Sequence, residues 1–246
     1  MTVSNPAYVA LGIFVVYLAI VGVVWRVNKV DYKDLAGDRA TTLRSIVVPI
    51  GLGALFLAIA VTVLGWWHVV LFDDGRTGPP WVVVVPVLFA LAGVLGLTQI
   101  DWRSANRSAL PMLALGTLLV GFAEEVLTRG VLVVGGREQG WSAVTVFLFS
   151  TVLFALLHGL NAFFGLPWQG TLVQIGIAFV GGTAFYVTRL STGTLIVGIV
   201  IHALWDFVTI GAVATGRTAK PAVMACAALS YVLGLVAIVV ILVTGS

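Results

Sequence analysis

Eight apolar runs, each long enough to cross a bilayer, leave this chain little choice of fold. They lie near residues 7–25, 45–67, 81–100, 110–135, 141–162, 171–188, 192–212 and 222–244, separated by polar or Gly/Pro breaks. A spanning helix needs about 20 apolar residues. In hydrocarbon each backbone N–H and C=O must be satisfied internally, which selects helices for runs of this length. The expected fold is therefore all-α, a polytopic transmembrane bundle of about eight spans forming a single membrane domain over 1–246. Only 9% of residues are charged and the mean hydropathy is +1.12. A soluble domain carries about 25% charged residues, so that class is excluded. Met1 to Pro6 holds no Lys or Arg ahead of a run long enough to span, which predicts a first transmembrane helix rather than a cleaved signal. The single cysteine, Cys226, lies in an apolar run and reads as a small buried hydrophobe.

Eight spans place both termini on one side, and the basic residues choose which. Arg26, Lys29, Lys33, Arg39, Arg44, Arg103, Arg107, Arg217 and Lys220 fall in one set of loops; Arg76, Arg137 and Arg189 fall in the alternate set. The positive-inside rule makes the first set cytoplasmic and both termini external. Seven of the eight tryptophans lie at or near span ends, where indoles settle at headgroup level. Trp205 is the exception, mid-span near a histidine. The segment from Arg26 to Arg44 reads as a solvated loop against anionic lipid, and Asp73-Asp74 reads as part of an external turn. A net charge of +3 implies no nucleic-acid partner.

Against this background the stretch Gly121-Phe-Ala-Glu-Glu-Val-Leu-Thr-Arg-Gly130 stands out as charge placed in oil. Each charge near a bilayer centre costs roughly 2.5 to 3.5 kcal/mol on insertion scales, so the three must pair, face water or perform chemistry. Glu125 and Arg129 are four residues apart, on one helical face within salt-bridge reach; Glu124 is turned about 100° away and has no partner in its own helix. Two of the three histidines, His158 and His202, also sit deep in apolar segments, and His202 is followed one turn on by Asp206. The third, His68, follows Trp66-Trp67 at a span end and reads as interfacial. Three spans thus each contribute buried titratable groups, which converge more economically on one polar cavity than on several separate charge traps.

The chemistry open to such a set is limited. Glu with His can deprotonate a water, and a second His with an Asp can polarise a carbonyl or hold an oxyanion, which together amount to peptide hydrolysis. The same Glu124, His158, His202 and Asp206 could instead hold a divalent metal, zinc being the best match to carboxylate and imidazole. No serine or cysteine stands in a nucleophile signature, and Ser150 and Thr151 lie two turns before His158.

Glu124-Glu125-x-x-x-Arg129, then Phe154-x-x-x-His158, then His202-x-x-x-Asp206, in this order on separate hydrophobic segments, resembles the three-motif pattern of the CAAX-protease and bacteriocin-processing (CPBP or Abi) family of intramembrane proteases. The motifs cover the second half of the chain, and the first three spans match only in hydropathy. The resemblance implies a protease-like core over 110–212, with Glu124 as the base on water together with His158. It implies that His202 and position 206 stabilise the oxyanion or complete a metal site, and that Glu125, Arg129 and Phe154 act in support. The prenyl-protein endopeptidase branch carries Asn where this chain has Asp206. A carboxylate cannot donate a hydrogen bond unless protonated, which favours a metal-ligand or histidine-orienting role. The expected activity is a glutamate-dependent or metallo-endopeptidase acting on a membrane-associated or lipidated protein from a cavity open to the cytoplasm. Two other readings share these residues: a non-catalytic membrane binding, immunity or scaffold protein on the same fold, and a proton-coupled transporter, which would usually show the inverted repeat or Pro-broken paired helices that are missing here.

Overall fold

In a computed structural model, which describes residues 4–245, 81% of the chain is helical and no strand occurs among the described residues. Among the described residues eight helices are long and apolar enough to span: α1 Pro6–Val27, α2 Arg39–Leu64, α3 Pro80–Gln99, α4 Leu110–Glu138, α5 Ala143–Phe164, α6 Trp168–Thr192, α7 Leu195–Ala214 and α8 Pro221–Thr244. The helical class and the number of spans are those expected from the apolar runs.

Local chemistry explains where the helices begin and end. Pro6, Pro80, Pro111 and Pro221 occupy first turns of α1, α3, α4 and α8, where a missing N–H costs no hydrogen bond. Ser142 and Thr194 cap α5 and α7, their hydroxyls accepting from the N–H groups of Thr145 and Ile196. Only Gly193 and Thr194 separate α6 from α7, and Gly193, at φ 71, makes the left-handed turn that ends α6. Large side chains such as Val15, Leu55, Val94 and Val239 are exposed on the outer faces, as lipid-facing positions require.

Helix α4 lies at the centre, packed against α1, α2, α5 and α7. Its approach to α7 is set by Gly121: a Cβ there would stand 2.7 Å from the Ile199 carbonyl oxygen and 2.9 Å from the Ala203 nitrogen. Backbone-to-backbone closeness of this kind is the use of small residues in membrane interfaces, and here it sets two carboxylates of α4 beside a histidine of α7. Immediately after Glu125 the helix widens into a π-helix over Val126–Leu132, where an uninterrupted α-helix is the expectation from pattern alone. Side chains entering the backbone ladder account for the change. The Thr128 carbonyl accepts from Ser150 Oγ at 2.9 Å, and the Arg129 carbonyl accepts from the Arg189 guanidinium.

That arginine corrects the loop assignment. Arg189 lies inside α6 and is 2% exposed, so it does not count among external loop charges. Charge compensation makes its burial tolerable. Its guanidinium also donates to the carbonyls of Val69 and Val70 at 2.8 and 3.0 Å and pairs with Asp73 at 2.7 Å. Arg137 joins the same carboxylate at 2.7 Å. Burial alone would raise the Asp73 carboxyl, but the Arg189 hydrogen bond and the charges of Arg189 and Arg137 outweigh it and hold the group below the ordinary aspartate range. For a depressed carboxyl the stabilisation is complete above the unfolded value of about 3.9 and disappears as pH falls through the folded one. Melting temperature in detergent, followed against pH for wild type and Asp73→Asn, should show a gap that is widest above about pH 4 and closes on acidification. Parallel curves would mean that Asp73 does not clamp the α4–α6 end of the bundle.

Candidate active site

Helical spacing set Glu125 apart from Glu124, and the two carboxylates do differ: both contact His202, but only Glu125 is hydrogen-bonded to it and paired with Arg129. Glu125 is fully buried, and its Oε1 accepts from Arg129 Nη1 at 3.1 Å and from His202 Nδ1 at 2.9 Å. An ionised carboxylate only accepts, so the imidazole donates through Nδ1–H. Arg129 is held on several sides at once: Nη1 donates to Thr128 Oγ1 at 2.7 Å, Nη2 donates to the Gly182 carbonyl at 2.9 Å, and the Phe154 ring lies 3.8 Å from its guanidinium carbon. Any side chain at 182 would collide, since a Cβ there would sit 2.7 Å from both Arg129 Nη2 and Phe154 Cδ1. A chain of contacts thus runs from the α6 backbone through Arg129 and Glu125 to His202. The link from Glu125 to His202 was not anticipated from spacing, because no pattern within one helix reports a contact made between two.

His202 lies flat against Phe185, 4.6 Å between ring centroids and 19° between planes, with Phe154 edge-on. Hydrogen bond and stacking together orient the ring so that Nε2 comes 3.8 Å from Glu124 Oε2 and 3.7 Å from Asp206 Oδ2. Those separations are ionic contacts rather than hydrogen bonds. His158, at the end of the regular part of α5, directs Nδ1 to the Phe154 carbonyl at 3.1 Å. A carbonyl only accepts, so in the neutral ring Nε2 carries the lone pair. Phe154 thereby touches Arg129, His158 and His202 with one side chain.

Glu124, His158, His202 and Asp206 all line one cavity of about 360 Å³. Its remaining wall is largely apolar, with Leu18, Val21, Ile46, Ile50, Leu157 and Ile177 among the contributors. Trp205 also lines it, which accounts for an indole so far from a span end. A second polar group was missed by the sequence reading: the Asn161 amide donates to Gln174 Oε1 at 2.9 Å and the Gln174 amide to the Tyr32 hydroxyl at 2.8 Å, all three lining the cavity. Asn161 and Gln174 are uncharged polar residues in apolar surroundings, a signal present in the sequence but weaker than charge. Tyr32 belongs to the segment read as a solvated loop and carried no signal.

Among the described residues no three His, Cys, Asp or Glu are grouped so as to hold a metal ion. His202 commits Nδ1 to Glu125, so it could offer a metal only Nε2. The four side chains as they stand do not form a zinc site, and the chemistry below runs through the side chains and water.

A buried histidine set among three carboxylates, opening on an apolar cavity in a bundle of spanning helices, defines the class: a multi-pass integral membrane protein with a carboxylate–histidine centre. Residues 106–208 match the family model described as type II CAAX prenyl endopeptidase Rce1-like. The match takes in all three motifs, from Glu124 to Asp206, bears out the resemblance read from them, and supports protease activity. No curated protein matches the chain, and no solved structure does.

Proposed function

We propose that this protein is an intramembrane endopeptidase that hydrolyses a peptide bond of a membrane-associated or lipidated protein with water activated by Glu124 and His158. The observation that carries the reading is the arrangement around His202: Glu125 holds one nitrogen at 2.9 Å while the other faces the cavity between Glu124 and Asp206. A merely structural charge cluster would pair its groups through hydrogen bonds; here Glu124 Oε2, on the cavity wall, meets His202 Nε2 only as an ionic contact at 3.8 Å and is buried without a hydrogen-bond partner.

In the proposed reaction Glu124 takes a proton from water as the oxygen attacks the peptide carbonyl carbon. The carbonyl π pair moves onto oxygen, and His202, when its Nε2 is protonated, stabilises that charge. Collapse of the tetrahedral intermediate breaks the C–N bond, and the proton held by Glu124 passes to the leaving nitrogen. His158 Nε2 assists by accepting a hydrogen bond from the attacking water, and Asp206 acts through His202 by favouring its protonated form. The apolar wall suits an uncharged or lipid-bearing segment. The loop charges support a cavity opening to the cytoplasm with both termini outside.

Purified protein in liposomes, supplied with lipidated and unlipidated peptides, should cleave at one bond, and cleavage in H₂¹⁸O should place one ¹⁸O in the new carboxylate. Activity unchanged by chelator supports direct attack by water; loss on chelation with stoichiometric restoration by zinc would replace it with metal-held water. Binding of peptide without any hydrolysis favours the scaffold reading instead.

A further inference from the structure

Five buried side-chain atoms lack a hydrogen-bond partner among the described residues: Tyr17 Oη, Glu124 Oε2, Glu125 Oε2, Arg129 Nε and Thr151 Oγ1. Only two of them, Tyr17 Oη and Glu124 Oε2, belong to residues that line the cavity. One is a donor and the other an acceptor, and they stand on the neighbouring helices α1 and α4. We infer that Tyr17 is a catalytic residue of the peptidase reading above, its phenolic O–H donating to the oxyanion of the tetrahedral intermediate.

The case rests on which groups in the wall can donate. Glu124 and Asp206 accept only when ionised. Asn161 and Gln174 each commit one amide N–H within their own chain of contacts, Asn161 to Gln174 and Gln174 to Tyr32, and neither is left as a buried atom without a partner. His158 gives Nδ1–H to a carbonyl, and Arg129 lies behind the wall, directed to Glu125, Thr128 and Gly182. That leaves His202 Nε2, which donates only when protonated and already has carboxylates 3.7 and 3.8 Å away; the Tyr32 and Tyr231 hydroxyls and the Trp205 indole N–H, none of which is a fully buried atom without a partner; and Tyr17, whose hydroxyl is. Tyr17 is 2% exposed. A buried hydroxyl without a partner is disfavoured and rare in folded proteins, and a hydroxyl whose acceptor exists only during the reaction is the arrangement that favours the transition state over the ground state. The ring is also fixed in place. It packs over Gly53 of α2 so closely that a Cβ there would stand 2.5 Å from Tyr17 Cε2. The donor comes from α1, outside the family-matched segment 106–208, so the first helix contributes to the chemistry as well as to the packing.

In the step itself, the water oxygen forms its bond to the carbonyl carbon and the π pair becomes the oxyanion. Tyr17 keeps its proton and shares it as a hydrogen bond; Glu124 takes the proton from water and returns one to the leaving nitrogen. Removing one such donor lowers kcat by about a hundredfold or more. Purified Tyr17→Phe should therefore accumulate and melt as wild type does, with kcat down about a hundredfold and KM within a factor of about two. Tyr17→3-fluorotyrosine, introduced at that codon alone, keeps the shape and a stronger donor, and should retain at least wild-type kcat. A folded Tyr17→Phe with wild-type kcat overturns the inference while leaving the peptidase reading intact, as does a large loss in the fluorotyrosine variant. A wild-type protein that hydrolyses nothing removes the peptidase reading and this inference together.

Discussion

Glu124→Gln should accumulate to wild-type levels with an unchanged melting temperature and lose peptide cleavage by a factor on the order of a hundred or more. The amide has nearly the same shape, and Glu124 Oε2 loses no hydrogen bond, only its 3.8 Å ionic contact with His202, which keeps Glu125 as its nearer partner, so the fold has little reason to notice the change. The reaction does, because an amide cannot take a proton from water at neutral pH. The neighbouring substitution should behave differently. Glu125 Oε1 has two partners, Arg129 and His202, so Glu125→Gln should lower stability and activity together. Activity and abundance measured side by side separate the two residues. An active Glu124→Gln beside a well-folded but inactive Glu125→Gln would reverse the assignment of base and supporting carboxylate.

Arg129→Ala is expected to be the most damaging substitution to the fold. The side chain is fully buried, pairs with Glu125 within α4, and joins α4 to the Gly182 carbonyl on α6 and to the Phe154 ring on α5. Removing one partner of a buried ion pair strands the other, at a cost of roughly 3 to 5 kcal/mol, a large share of the roughly 5 to 15 kcal/mol margin of a typical domain. The variant should be recovered at a small fraction of wild-type amount, with a lower midpoint in detergent. Arg129→Lys keeps the charge but loses the planar fork that reaches Glu125 and Gly182 together, so it should restore abundance only in part. Wild-type yield and midpoint for Arg129→Ala would show that the charge network is dispensable.

The spans were legible because each apolar run is long and unbroken, and because hydrocarbon tolerates little besides helix. The interior charges were legible for the complementary reason: in a chain with so few charged residues, any that fall within a span are conspicuous. Glu125 and Arg129 could be paired from spacing alone, since i and i+4 share a face whether or not the rest of the fold is known. What escaped was whatever depends on two helices meeting. His202 was expected beside Asp206 on its own helix, and Nε2 is indeed 3.7 Å from that carboxylate, but the shorter contact is to Glu125 across the α4–α7 crossing. Arg189 was taken for a loop charge because it stands near a span end; its three carbonyl partners and Asp73 become visible only when α4, α6 and the chain after α2 are brought together. Tyr17 escaped for a different reason. A tyrosine in a first transmembrane helix is ordinary by composition, and only burial without a partner sets it apart.

The central claim is that Glu124 activates water to cut a membrane-associated protein. Quantitative mapping of protein termini in membranes from wild-type cells and from cells carrying Glu124→Gln, at equal abundance of the two proteins, tests it most directly. The account predicts at least one membrane-associated protein that ends at a new terminus in wild type and remains uncleaved in the variant, with cleavage restored by re-expressing wild type. Identical sets of termini in the two strains, with both proteins folded and present in the membrane, would contradict it.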